Sequence, residues 1–146
     1  MTEPTLEWMK TNDYRSDALD LKGSYGNTAL MKASREGNAA IVDELLKAGA
    51  DPLLTNADGN QALWLACFGE NPDVLRLLLS AGCDVDNVNV NGVTPLMYAA
   101  SSGKETMVAM LLDAGADPAL KNPDDFTALE LAATPKIFKM LRKAIT

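Results

Sequence analysis

Chemistry in this chain would have to come from carboxylates and thiols, because it contains no histidine. That absence removes the commonest acid–base group and metal ligand, and with it any Ser-His or Cys-His pair. Asp51, Asp84 and Asp117 recur at intervals of 33 residues, and general acid–base work would require such carboxylates to converge in a pocket. The two cysteines, Cys67 and Cys83, stand sixteen residues apart with no zinc-ligand spacing around them. They read as small apolar core residues of a reducing compartment. No glycine-rich loop with a lysine is present to cradle a phosphate. These residue types predict no metal, no cofactor and no catalysis.

Length and charge narrow the partners. A chain of 146 residues is one domain's worth, and 47% hydrophobic with 23% charged residues is enough apolar matter to fold. No apolar run approaches the ~20 residues that cross a bilayer. The segment Met1–Trp8 carries two acids and no basic-then-apolar order, so the expectation is a cytoplasmic protein without a secretory leader or membrane contact. The net charge of −7 would repel nucleic acid at long range. Lys136, Lys139, Arg142 and Lys143 sit in the last eleven residues, which hold no acid; elsewhere nine bases face twenty acids, a balance of −11. That basic end reads either as the polar face of a terminal helix or as a docking patch for an acidic partner.

The elements that must position all these residues repeat every 33 residues. Gly26, Gly59 and Gly92 keep that step, with Asp125 where a fourth glycine would fall. Leu30, Leu63, Leu96 and Leu129 share it, as do Ala33, Ala66, Ala99 and Ala132, then Gly49, Gly82 and Gly115. Asn56-Ala57-Asp58-Gly59 and Asn89-Val90-Asn91-Gly92 are turn-forming runs. Thr28 and Thr94 are good N-caps, and Pro95 suits the first helical position. Gln61 takes the threonine's place in the second copy and predicts a weaker start. A second helix in each copy shows an i, i+1, i+4, i+5 apolar stripe, as in Ile41, Val42, Leu45 and Leu46. Gly49, Gly82 and Gly115 then stop it at the left-handed position.

At these residues the chain resembles the ankyrin repeat family. Thr94-Pro95-Leu96-Met97-Tyr98-Ala99 follows the family's Thr-Pro-Leu-His-x-Ala signature except at the histidine, and Leu45-Leu46-Lys47-Ala48-Gly49-Ala50-Asp51 matches its helix-closing segment. The histidine position holds Met31, Trp64, Met97 and Glu130, so hydrogen bonds made there in relatives are missing. The resemblance implies an all-α solenoid: inner helix, outer helix and projecting β-hairpin or turn, stacked as a right-handed curved array with a concave face. It places Asp51, Asp84 and Asp117 at helix-to-hairpin corners, where local turn bonds explain them. The expected division is a capping helix or partial repeat over residues 1–23, repeats over 24–56, 57–89 and 90–122, and a shortened cap over 123–146. Thr134-Pro135 opens the last outer helix about three residues early, and Trp8 is expected to pack on the first repeat.

The family binds partners with hairpin tips and the exposed side of its inner helices. Hairpin candidates are Tyr25 and Asn27; Asp58 and Asn60; Val90, Asn91 and Val93; Asp124 and Phe126. Inner-helix candidates are Lys32, Arg35, Leu65, Phe68, Tyr98 and Ser101. Leu65, Phe68, Val90, Val93, Tyr98 and Phe126 are expected to form one apolar patch across the second to fourth repeats, unless neighbouring repeats cover it. The function expected is a non-catalytic, monomeric interaction module, an adaptor or scaffold, that grips another protein of neutral or basic surface. The alternative is a dedicated inhibitor or immunity-type protein that blocks a single target.

Overall fold

The computed structural model describes residues 1–146. Its helices are α1 (Glu3–Thr11), α2 (Ala29–Arg35), α3 (Ala39–Lys47), α4 (Ala62–Gly69), α5 (Pro72–Ser80), α6 (Pro95–Ser101), α7 (Glu105–Asp113), α8 (Ala128–Leu131) and α9 (Pro135–Ala144). The helices α2, α4, α6 and α8 pack side by side as an inner row, and α3, α5, α7 and α9 form an outer row against them. Each inner–outer pair is joined by a short turn, so the apolar stripes of both rows meet in one continuous core. Leu30, Leu63 and Leu96 from the inner row and Leu45, Leu78 and Leu111 from the outer row are fully buried there. Ala33, Ala66 and Ala99 are fully buried in the inner row, whose helices pack against one another. No repeat can bury these faces alone, which is why the stack folds as a unit.

The caps follow the local chemistry of each start. The Thr28, Thr94 and Thr134 hydroxyls accept from the amides of Met31, Met97 and Ile137, and Asn38 and Asn71 carboxamides do the same for α3 and α5. Gln61 makes no cap bond. Its side chain instead accepts from the Asp84 amide at 3.0 Å and donates to the Leu53 carbonyl at 3.3 Å. Two inter-element bonds, each worth about 0.5–1.5 kcal/mol, offset a cap worth about 1 kcal/mol.

The corners between outer helices and turns repeat one device. Asp51, Asp84 and Asp117 accept from the amide two residues on, at 2.9–3.0 Å, which is the local turn bond expected of them. Asp20 accepts from the Asp51 amide at 2.9 Å, and Asp86 accepts from the Asp117 amide at 3.0 Å. The turns carry no named strands; only an isolated Lys121–Thr127 bridge is present, so the expected hairpins are tight turns. Asp125 stands in the left-handed conformation, φ 68°, that Gly26, Gly59 and Gly92 adopt in the other copies.

The N-terminal helix is fastened to the first repeat by few groups. Met9 and Thr5 are buried, while Leu6 faces out. Trp8 is half-buried, donates its indole N–H to Glu36 at 2.9 Å and stacks on Tyr14. The Glu44 carboxylate accepts from the Thr2 amide and from the Thr2 and Thr5 hydroxyls. These bonds, that from Thr5 foremost, hold its pKa below the ordinary value of 4.5. A depressed folded pKa means the attachment is whole above the unfolded value and is lost as pH falls through the folded one. The indole N–H signal of Trp8, on the same helix, is therefore expected to broaden in NMR spectra once acidification passes the depressed Glu44 pKa. Glu44→Gln should bring that change to neutral pH, and an unmoved signal in both experiments would refute the tether.

Candidate functional site

The turn tips are built from asparagine. The Oδ1 of Asn56 accepts from the amides of Asp58 and Asn60, that of Asn89 from Asn91 and Val93, and that of Asn122 from Asp124 and Phe126. Adjacent tips are tied by backbone bonds, Ala57 N–H to the Tyr25 carbonyl at 3.0 Å and Val90 N–H to the Asp58 carbonyl at 2.9 Å. Pro123 occupies the next such position and has no N–H to give, so this ladder ends before the last turn. The residues at the crest of each tip are Tyr25, Asp58, Asn91 and Asp124, and all four are exposed. Tyr25 reaches 80% exposure with a left-handed backbone, φ 60°. A bulky side chain so placed is held out by the turn itself.

Facing the tips, the inner helices set charged and aromatic groups together. The Arg35 guanidinium carbon lies 4.8 Å from the centre of the Phe68 ring, and Lys104 Nζ lies 5.7 Å from it. Lys104 pairs with Glu70 at 3.1 Å and Lys32 with Glu36 at 4.0 Å. Trp64 and Tyr98 rings meet at 4.2 Å, tilted by 32°. Two grooves open between tips and helices. The first, about 500 Å³, runs from the Asn12–Tyr14 segment to Lys32, Arg35 and Phe68; the second, about 390 Å³, runs from Tyr25 and Asp58 to Trp64 and Phe68. Tyr25, Asn27, Arg35 and Phe68 border both.

Two of the expected site residues lie deeper than a surface position would. Leu65 is only 6% exposed, because α4 lies between α2 and α6 and over α5 and so buries more than one face. Asn60 is 3% exposed, its side chain folded beneath the tip, where its Oδ1 has no partner. Val93 and Tyr98 are half-buried against the core, as are Asn27 and Lys32 at the groove wall. Of the expected patch across the second to fourth repeats, Phe68, Val90 and Phe126 are exposed, while Leu65 is buried and Val93 and Tyr98 are only partly open. Arg35, Asn91, Ser101 and Asp124 are exposed. Asn60 and Leu65 still line the second groove, and the two grooves also take in Asp13, Tyr14, Glu36 and Trp64, for which no binding role was expected. Trp64 carried a signal, since it replaces the signature histidine. Tyr14 lies outside the repeat phase and carried none.

At the histidine position three of the four copies satisfy the amide at the start of the inner helix, each in its own way. In the first, Met31 sulfur accepts from the Thr28 amide at 3.4 Å; in the fourth, Glu130 accepts from the Thr127 amide at 3.2 Å. In the second, the Trp64 indole N–H has no partner, and the Gln61 amide goes to Asn87 Oδ1 at 3.3 Å. A family model described as ankyrin repeats (3 copies) matches residues 4–89, 30–122 and 81–145. The chain belongs to the ankyrin repeat family. Ankyrin repeats are generally protein–protein interaction modules, and proteins built of them are typically non-catalytic. No curated protein matches this ankyrin repeat chain.

Burial pushes the Cys67 thiol up to about 12 and the Cys83 thiol up to about 11, so both stay protonated and poor nucleophiles at neutral pH. No group of three or more His, Cys, Asp or Glu side chains is placed to hold a metal ion. No helix is long and apolar enough to cross a membrane.

Proposed function

We propose that this ankyrin repeat protein is a non-catalytic module that binds a partner protein between its turn tips and inner helices, acting as an adaptor or scaffold. The observation that supports this reading most is the grouping of Tyr25, Arg35 and Phe68 around two adjoining grooves. Tyrosine and arginine are residue types that anchor interfaces: tyrosine buries a large area for few frozen rotamers, and arginine brings a planar fork of donors. Val90 and Phe126 extend the apolar rim along the tips. The acidic crest residues Asp58 and Asp124, with the overall −7 charge, bias the partner toward a neutral or basic surface. Two free, buried cysteines suit a reducing compartment, and the cytoplasm is the location this reading assigns.

The test is capture from the protein's own cell lysate with the tagged full chain. Tyr25→Asp with Phe126→Asp changes two exposed residues, so the melting temperature should stay within a degree or two while capture falls at least roughly tenfold. Persistent capture by the folded double variant would refute the tip surface. Native mass spectrometry of the captured complex separates the two roles. Several substoichiometric partners fit a scaffold, and one stoichiometric partner fits a dedicated inhibitor, the reading its single domain also allows.

A further inference from the structure

We infer that Arg35 is the anchor of the double groove, and that its ligand is an extended segment of a partner protein presenting a carboxylate side chain flanked by basic residues. This rests on the tip-and-helix reading above and adds the chemistry of what is gripped. Of the cations around Phe68 and the groove wall, Lys104 is paired with Glu70 and Lys32 with Glu36. Arg35 has no carboxylate partner and makes no side-chain hydrogen bond, although Glu36 is its neighbour in sequence. Its guanidinium is nevertheless positioned, because it lies over the Phe68 ring at 4.8 Å. A guanidinium held over a ring still has N–H groups directed away from the ring and free to donate. A planar fork with unspent donors matches a carboxylate by two parallel bonds.

Desolvation sharpens the requirement. A protein that covers the groove strips water from Arg35, and an unpaired buried cation is costly. A carboxylate is therefore the occupant group that best compensates that cost, by charge and by two parallel bonds. Acidic side chains stand on either side of it: Asp13 borders the first groove and Asp58 the second, both exposed and neither in an ion pair. They would repel further carboxylates and attract cations, so the complementary segment alternates basic, acidic, basic. A single acid in basic surroundings also agrees with the −7 field, which disfavours a partner acidic throughout.

Selection of a random peptide library displayed on phage against the full chain tests this. Enriched peptides should carry Asp or Glu with Lys or Arg nearby, and synthetic copies should lose binding roughly 10- to 100-fold to Arg35→Glu. Arg35→Lys should recover only part of it, since the two-pronged geometry is gone. Changing the peptide's acid to Lys should restore binding to Arg35→Glu. Arg35→Gln, which removes the charge without reversing it, guards against misfolding. Failure to enrich any peptide, or enriched peptides without an acid, overturns the proposal. Peptides that are lost with Tyr25→Asp but indifferent to Arg35→Glu overturn the Arg35 anchor and leave the tip-and-helix surface standing. Peptides indifferent to both overturn the two together.

Discussion

Leu78→Ala is expected to lower the unfolding free energy by about 2–5 kcal/mol, a large part of what a domain of this size possesses. Leu78 sits fully buried in α5, which contacts α3 on one side, α7 on the other and α4 beneath. The truncation removes three carbons' worth of apolar burial and leaves a hole that the stack can close only by shifting several helices at once. Position decides the rest. In a one-dimensional array each repeat is held only by its neighbours, so damage in the second repeat weakens two interfaces, whereas damage in a terminal cap weakens one. Leu53→Ala is the control, because Leu53 is half exposed at a corner and should cost less than about 0.5 kcal/mol. Urea unfolding followed by circular dichroism reads both. A Leu78→Ala midpoint indistinguishable from that of Leu53→Ala would show that the outer-row leucines are not the core.

How far such positions are legible in sequence depends on how many constraints fall on them. Leu45, Leu78 and Leu111 are legible because periodicity along the helix and the 33-residue step agree on the same residues. Gly49, Gly82 and Gly115 are legible because a left-handed backbone at a helix end has few solutions, and they adopt φ of 101°, 93° and 92°. Leu65 is not, since helical spacing puts it beside Phe68 on one face and cannot say how wide an arc α4 buries between its neighbours. Asn60 fails for a different reason: a polar residue in a turn reads as exposed, while its side chain folds inward there. The groove floor around Tyr14 lies outside the repeat, so phase arguments have no purchase on it. Pairings such as Arg35 with Phe68 join separate copies, and a repeat pattern fixes their neighbourhood without fixing which side chain leans on which.

Gly69→Ala should destabilise the chain by about 1–3 kcal/mol and loosen the groove as well. The second copy reads Phe68-Gly69-Glu70 where the others read Arg35-Glu36-Gly37 and Ser101-Ser102-Gly103, so its glycine comes one residue early. Glu70 consequently takes the left-handed conformation, φ 56°, that Gly37 and Gly103 adopt. The displaced glycine has its own use. A Cβ on Gly69 would lie 2.7 Å from the Ser34 carbonyl oxygen and 2.8 Å from that of Arg35. Both are backbone atoms of the last turn of α2, which cannot rotate aside as a flexible side chain would. Alanine's better helix propensity returns at most about 1 kcal/mol and less at a helix end, so the clash wins. Relief requires α4 to draw away from α2 at the point where Arg35 meets Phe68, and the stack at 4.8 Å should open with it. Ser102→Ala, at the equivalent place in the third copy, already has a Cβ there and should change stability by less than about 0.5 kcal/mol. Urea midpoints measure the first effect, and the ring-current shift of the Arg35 Nε–H proton measures the second. An alanine variant that keeps both would mean the close approach of α2 and α4 neither strains the fold nor sets the anchor.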